Sequence, residues 1–195
     1  MPKHDTKLKR PEIDFLEHSN MIETEPPSGP AFDDAAEAYL AVRDREQISE
    51  QDILNCHAIL MRSRKSIPDT AKGAYTTVQT GIYSNGTCIR KNPAPAKVPG
   101  LMKTWIEKTA ATVKNKKNFE ADDLDGICRA SHVAFENAHP FQDGNGRVGR
   151  ILYNWHRLRL GLTIHVIREE SAREYYAWFK KPAKKEPAAK KRTKK

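Results

Sequence analysis

The sequence predicts a mainly α-helical domain with one small β-hairpin. Several segments carry apolar residues three and four positions apart, which is the period of an amphipathic helix. A single stretch, AYTTVQTGIYSNGTCIR at 74–90, is instead rich in β-branched and aromatic residues around the tight-turn signal SNG. With 195 residues, of which 38% are hydrophobic, the chain is long enough for one domain with its own core.

Three helices are predicted before the hairpin. The first begins at Pro11, a favourable first helical residue, and ends before the segment PPSGP. The second follows Asp33 or Asp34, either of which can cap its N-terminus. The third begins at Ser49, which forms a capping-box pattern with Asp52 three residues later.

Four helices are predicted after the hairpin: one at 101–113, one at 122–138, one that starts at 144–146 and ends at Gly161, and one at 171–179. Gly161 is a suitable C-terminal cap for the third of them, and Ser171 with Glu174 forms a capping-box pattern at the start of the fourth. The helix at 122–138 is expected to turn one set of side chains inward: Leu124, Ile127, Ser131, Ala134, Phe135 and Ala138.

The positive charge is concentrated at the C-terminus. The formal net charge is +9, and residues 181–195 carry eight Lys or Arg and one Glu, which leaves +2 for residues 1–180. A Lys, Pro and Ala tract buries too little apolar surface to offset its ordering entropy, so we expect 181–195 to be a disordered tail. Such a tail either keeps the protein in solution, binds nucleic acid or another anionic surface, or serves as a nuclear targeting signal.

Composition and the N-terminus indicate a cytoplasmic protein. No apolar run approaches the length of a transmembrane helix, and the first residues do not form a secretory signal. Signal-independent export and nuclear targeting stay open as alternatives. Three widely spaced cysteines form neither a disulfide framework nor a CxxC site, which indicates a reducing compartment.

The stretch HPFQDGNGRVGR at 139–150 has the composition of a phosphate-binding loop. Its GxGxxG pattern lacks the preceding strand of a dinucleotide site, and a Walker loop or a calcium loop would need residues that are absent. Two glycines at a helix start instead allow backbone N–H groups to converge on an anion, and two arginines three positions apart can bind phosphate oxygens. The acid at 143 then indicates a bridging Mg²⁺, and the histidine at 139 suits a proton acceptor.

These twelve residues resemble, at every specified position, the HPFx(D/E)GNGRxxR signature of the Fic domain family. The resemblance implies a mainly helical Fic domain, with His139 as the general base and Asp143 as the Mg²⁺ ligand. Arg150 would direct the γ-phosphate. The full set of implied phosphate-binding residues is Gly144, Asn145, Gly146, Arg147 and Arg150.

The same resemblance implies a protein adenylyltransferase, which transfers AMP from ATP to a Ser, Thr or Tyr hydroxyl of a target protein and releases pyrophosphate. The implied partners are ATP, Mg²⁺ and the target, together with self-modification and a homodimer. Other functions stay open: removal of AMP from a target, transfer of another nucleotide, phosphoryl or phosphocholine group, or a non-catalytic module that binds a nucleotide or, through its basic tail, nucleic acid.

Two further segments match features of the family. The hairpin would be the flap that aligns a target segment by strand addition; its residues would be Thr77, Val78, Gln79, Thr80, Gly81 and Ile82. Ser19 and Glu23 match the inhibitory pattern (S/T)xxxE(G/N), in which Glu23 would pair with Arg150, whereas Thr24 departs from the usual Gly or Asn. The expected organisation is an inhibitory segment with its hinge at 1–30, a catalytic domain at 31–180, and the tail.

Overall fold

The computed structural model describes residues 8–84 and 87–179, with the backbone alone at 82–84 and 87–90. The predicted tail at 181–195 lies outside the described residues. The elements in chain order are α1 (Arg10–Ile22), α2 (Pro30–Arg43), α3 (Glu50–Leu60), β1 (Gly81–Ser84), β2 (Thr87–Lys91), α4 (Val98–Lys114), α5 (Leu124–Ala138), α6 (Asn145–Leu160) and α7 (Ala172–Ala177). The prediction of a mainly α-helical fold is confirmed. Over the described residues, no helix has the combination of length and apolar character that a bilayer-spanning segment needs.

Helix α6 forms the centre of the molecule. Thirteen of its sixteen residues are buried, because α1, α2, α3, α4 and α5 all pack against it. It ends at Gly161, whose φ of 88° is the left-handed conformation of a C-terminal glycine cap, as predicted. A helix enclosed on all sides has little freedom to tilt, so its N-terminal end is a fixed platform for the residues that precede it.

The predicted capping box of α3 is confirmed, since Ser49 Oγ accepts from the Asp52 N–H and Asp52 Oδ2 accepts from the Ser49 N–H. The predicted caps of two other helices are wrong. Gly29 is the N-cap of α2, which begins directly at Pro30. At α7, Ser171 makes no capping bond within the described residues, because it ends a short 3-10 turn.

Asp34, one of the two expected caps of α2, has a different structural role. It lies in the second turn of α2 and is buried. Its carboxylate accepts hydrogen bonds from the Arg62 guanidinium and from the Ser63 backbone N–H at 2.8 Å. The acid therefore joins α2 to the turn after α3, a contact between residues 28 and 29 positions apart.

Helix α5 is rotated relative to the predicted inward face. Cys128, His132, Phe135 and Ala138 are buried, so the last two of the predicted residues lie in the core. Two more of them, Leu124 and Ile127, are partly buried against it. Ser131 and Ala134 instead line an open cavity of about 570 Å³ between α4 and α5, to which Ile127 also contributes.

The hairpin is shorter than the predicted 74–90. The antiparallel pair begins only at Gly81, the first residue of β1, which pairs with Lys91, the last residue of β2. The expected flap residues 77–80 precede β1, and of the expected set only Gly81 and Ile82 lie in a strand. The Thr76 hydroxyl donates to the Val78 carbonyl at 2.9 Å, a local side-chain bond that competes with strand pairing.

Candidate active site

His139 leaves α5 in a strained backbone conformation. It is the C-cap of α5, with φ 46° and ψ 61°, and its N–H donates to the Phe135 carbonyl at 3.1 Å. Left-handed geometry is uncommon for a residue other than glycine and costs of order 1–3 kcal/mol, so the surrounding packing must hold it. The following Pro140 disfavours helical geometry at His139, and its carbonyl accepts from the Thr76 N–H at 2.8 Å. The chain thus turns sharply at His139, the predicted proton acceptor.

The loop after His139 is held in place by two buried polar side chains. The His57 ring lies flat on the Phe141 ring, with centroids 3.8 Å apart and planes inclined by 2°. His57 Nδ1 accepts from the Gly73 N–H, so Nε2 carries the proton and donates to the Asp143 carbonyl at 3.1 Å. Burial lowers the pKa of His57 to about 4, which keeps it neutral in this role. Asn145 binds both backbone groups of Phe141, each at 2.8 Å.

The N-terminus of α6 is covered by a carboxylate from α1. A Cβ built on Gly146 would collide with Glu23 Oε1, so the acid lies directly over the first helical turn. The first N–H groups of a helix have no partner within it and carry the positive end of the helix dipole. Gly144, with φ 76°, turns the chain into this helix. Glu23 therefore occupies the place where the sequence predicts an anion.

Each guanidinium nitrogen of Arg150 has a hydrogen-bond acceptor, and most of the acceptors lie in α1 or directly after it. Its Nε donates to Ser19 Oγ at 2.9 Å, and its Nη2 donates to the Ser19 carbonyl and to Glu23 Oε1, both at 2.9 Å. Only 1% of the residue is exposed. Ser19, Glu23 and Arg150 were each expected at this site, and the structure brings all three together.

Sequence reasoning missed the support behind Arg150. Tyr175 of α7 accepts from Arg150 Nη1 at 3.4 Å and donates to His132 Nε2 at 2.9 Å. The other nitrogen of His132 donates to the Gly149 carbonyl, and burial lowers the pKa of this ring to about 3, so it is neutral. The spacing of aromatic residues indicated a core position for Tyr175, but nothing in the spacing indicated this chain of hydrogen bonds.

Arg147, the other predicted phosphate-binding arginine, contacts the end of α3. It is 4% exposed, and its Nη2 contacts Met61 Sδ at 3.3 Å, a weak acceptor. Within the described part of the chain its Nε has no acceptor. Burial lowers the pKa of Arg147, which is the expected response of a cation whose partners do not replace its water.

Asp143 lies at the open side of the same site. Its Oδ1 accepts from the Gly144 N–H at 2.7 Å, and its Oδ2 is 3.6 Å from Arg64 Nε. No group of three or more His, Cys, Asp or Glu side chains able to hold a metal ion occurs among residues 8–84 and 87–179. A single half-exposed carboxylate nevertheless fits Mg²⁺, which proteins commonly bind through one or two carboxylates together with substrate phosphates.

A further acid lies one helical turn before His139. Glu136 Oε1 is buried with no hydrogen-bond partner in the described residues, and a Cβ on Gly149 would collide with it. Burial raises the pKa of Glu136 to about 7, and the charge of Arg150 acts in the opposite direction. The Glu136 side chain thus depends on the absence of a side chain at Gly149.

Together these groups line a small polar cavity, the signature pocket, of about 170 Å³: Glu23, Glu25, Arg64, His139, Gln142, Asp143, Gly144, Asn145, Gly146 and Arg147. Typical small-molecule sites are about 300–1,000 Å³. Two of the lining acids, Glu23 and Glu25, directly follow α1 in the sequence. The pocket is therefore small in the state in which α1 is docked.

A model of the Fic/DOC family matches residues 47–156, more than half of the chain. The chain belongs to the Fic/DOC family. Its fold is similar to that of a Fic domain containing signaling protein from Bacteroides thetaiotaomicron, with a TM-score of 0.72 at 18% identity, covering 85% of this chain and 69% of the other. It is also similar to Fic-1 from C. elegans, with a TM-score of 0.65 at 19% identity, covering 87% and 55%.

Curated relatives of the chain carry the name protein adenylyltransferase. The one from Nematostella vectensis is 23% identical over 180 residues, which are 90% of this chain and 36% of the relative. A probable protein adenylyltransferase of Aquifex aeolicus is 45% identical over 67 residues, which are 32% of this chain and 17% of the relative. The chain thus spans about a third of the length of the first relative and about a sixth of the second.

Proposed function

We propose that this Fic chain is a protein adenylyltransferase that α1 restrains. The observation that carries the proposal is the position of Glu23: its carboxylate lies over Gly146 and binds Arg150, where the signature implies a γ-phosphate. A carboxylate and a phosphate need the same donors, so the two exclude each other. The Nε of the buried Arg147, which has no acceptor among the described residues, supports an anion site beside it.

The proposed reaction assigns a role to each group at the start of α6. His139 accepts the proton of the target hydroxyl, whose oxygen then forms a bond to the α-phosphorus of ATP. The bond from that phosphorus to the bridging oxygen breaks, and pyrophosphate leaves. Backbone N–H groups at Gly144 and Gly146, together with Arg147, stabilise the charge on the phosphates. Asp143 would hold Mg²⁺, which neutralises phosphate charge when bound.

The restraint follows from the size and the charge of the signature pocket. With Glu23 and Glu25 in place the pocket is about 170 Å³, and both acids repel a triphosphate. Release of α1 would free Arg150 and enlarge the pocket toward the size that a nucleotide needs. The segment that leads into the hairpin is joined to the residue after His139, because the Thr76 N–H donates to the Pro140 carbonyl. The hairpin would present the target by strand addition.

Intact-mass spectrometry after incubation with ATP and Mg²⁺ tests the proposal. Glu23→Gly is expected to add one AMP moiety to the chain, or to a supplied target, at least ~10-fold faster than the wild type, because one charge-assisted bond no longer competes. His139→Ala in the Glu23→Gly background should abolish the gain. ATP labelled at the α or the γ position separates nucleotidyl transfer from phosphoryl transfer. Label from the γ position alone, or a mass gain that survives His139→Ala, would contradict the proposal.

A further inference from the structure

We propose that Arg64 is a further phosphate-binding residue of the signature pocket and that Glu25 occupies it while α1 is docked. The inference rests on the proposed function, because it concerns the same nucleotide. Arg64 lies outside the signature, in the turn after α3, and its backbone N–H donates to the Met61 carbonyl at 3.0 Å. Met61 also contacts Arg147 through its sulfur atom. The end of α3 therefore places the guanidinium of Arg64 in the same pocket as that of Arg147.

The bonds of Arg64 are only partly made. Its Nη1 forms an ion pair with Glu25 Oε1. Its Nε is buried, lies 3.6 Å from Asp143 Oδ2, and has no hydrogen-bond acceptor among the described residues. A buried donor without an acceptor costs free energy, which a phosphate oxygen at this position would recover.

Glu25 reaches Arg64 only through the docked N-terminal segment. Its N–H donates to the Asn20 carbonyl of α1 at 3.0 Å, and the Asn20 side chain donates to the Pro26 carbonyl at 3.0 Å. The Glu25 side chain is 10% exposed. Glu23 and Glu25 thus enter the site as a pair, one on Arg150 and one on Arg64, and the movement that withdraws one carboxylate withdraws the other.

The charge balance of the site favours a nucleotide once this pair leaves. With α1 docked, three acids (Glu23, Glu25 and Asp143) face three arginines (Arg64, Arg147 and Arg150). Without the two acids of the N-terminal segment, one carboxylate faces three guanidinium groups. A polyphosphate then meets a net positive pocket, in which Arg64 stands beside the acid proposed for Mg²⁺.

ATP binding to Glu23→Gly protein, measured by calorimetry in EDTA, tests the role of Arg64 without metal and without turnover. Arg64→Ala in this background is expected to weaken ATP binding ~10-fold, the usual effect of one charge-assisted bond. Arg64→Lys should lose less, because it keeps the charge. The matched control is Lys65→Ala, which removes one positive charge from the neighbouring exposed residue and should change the affinity less than ~2-fold.

Glu25→Gln completes the test as a double-mutant cycle. It should tighten ATP binding more when Arg64 is present than when Arg64 is Ala, because only the repulsion between Glu25 and the phosphates is relieved once Arg64 is gone. Thermal unfolding of each variant shows whether it is folded, and Arg64→Lys keeps the proposal testable if Arg64→Ala is not. Equal affinities of Arg64→Ala and Lys65→Ala, or tighter binding by Arg64→Ala, would overturn the role of Arg64. Failure of the Glu23→Gly parent to bind ATP even with Mg²⁺ would instead overturn the proposed function.

Discussion

The two sides of the signature pocket differ in how completely their arginines are bonded. On the α1 side, Arg150 has donors engaged with Ser19, Glu23 and Tyr175. On the α3 side, Arg147 has one weak contact and a buried Nε without an acceptor in the described residues. Both residues are buried, with exposed fractions of 4% for Arg147 and 1% for Arg150, so the number of hydrogen bonds distinguishes them more clearly than burial does. A fully bonded guanidinium holds the present structure together, whereas an incompletely bonded one is available to a ligand.

Gly146→Ala should have the largest effect on activity, because the added methyl group would occupy the position of the Glu23 carboxylate. If a phosphate uses the same place, the substitution removes both the restraint and the substrate. We expect AMP incorporation, measured by mass spectrometry, to fall ~100-fold or more below that of Glu23→Gly, as when an anion-hole donor is lost.

Gly126→Ala on α5 is the matched control for Gly146→Ala. A Cβ there meets nothing within 4 Å, so the helix accepts it and activity should be unchanged. If Gly146→Ala were instead as active as Glu23→Gly, the carboxylate and the phosphate would not share a position.

Replacement by methionine should lower the free energy of unfolding much more at Arg150 than at Arg147. Arg150→Met leaves the buried Ser19 carbonyl and hydroxyl without their partner, and we expect a loss of about 3 kcal/mol in the free energy of unfolding. Arg147→Met removes a desolvated cation with little compensation and should stay within about 1 kcal/mol of the wild type. Urea denaturation of the two variants measures both. Equal losses would show that Arg147 is as well bonded as Arg150.

The features that local sequence dictates were predictable. Helix period and the pair Ser49 and Asp52 act within a few positions of the chain, and the signature places its residues in twelve consecutive positions. Contacts between distant segments were not predictable. His57 is 86 positions from the Asp143 carbonyl that it holds, and Arg64 is 39 positions from Glu25. No local pattern encodes such pairs.

The wrong predictions have the same origin. Asp34 has the chemistry of a helix cap, but its carboxylate binds Arg62 and the Ser63 N–H in the turn after α3. Ala134 has the spacing of a core residue, but the cavity between α4 and α5 leaves that side of the helix open. In both cases contacts between segments far apart in the sequence determined the role of the residue, although its local sequence also allowed the predicted role.

Thr24→Gly should have a smaller effect, a decrease in the basal rate through tighter docking of α1. Thr24 follows Glu23 with φ 57°, a conformation that suits the Gly or Asn of the inhibitory pattern and disfavours a β-branched side chain. Relief of this strain, partly offset by the greater flexibility of glycine, should stabilise docked α1 by about 0.5 to 1 kcal/mol. Basal AMP incorporation should then fall about two- to fivefold, as rates measured by mass spectrometry would show.

Two control variants separate this strain effect from a general loss of activity. Thr24→Ala keeps the Cβ that disfavours positive φ, so it should stay near the wild-type rate. Thr24→Gly combined with Glu23→Gly should match Glu23→Gly alone, because without the carboxylate the position of α1 no longer limits the reaction. A slower rate in that double variant would place Thr24 in the reaction itself, and an unchanged rate in the single variant would show that the left-handed turn does not limit docking of Glu23.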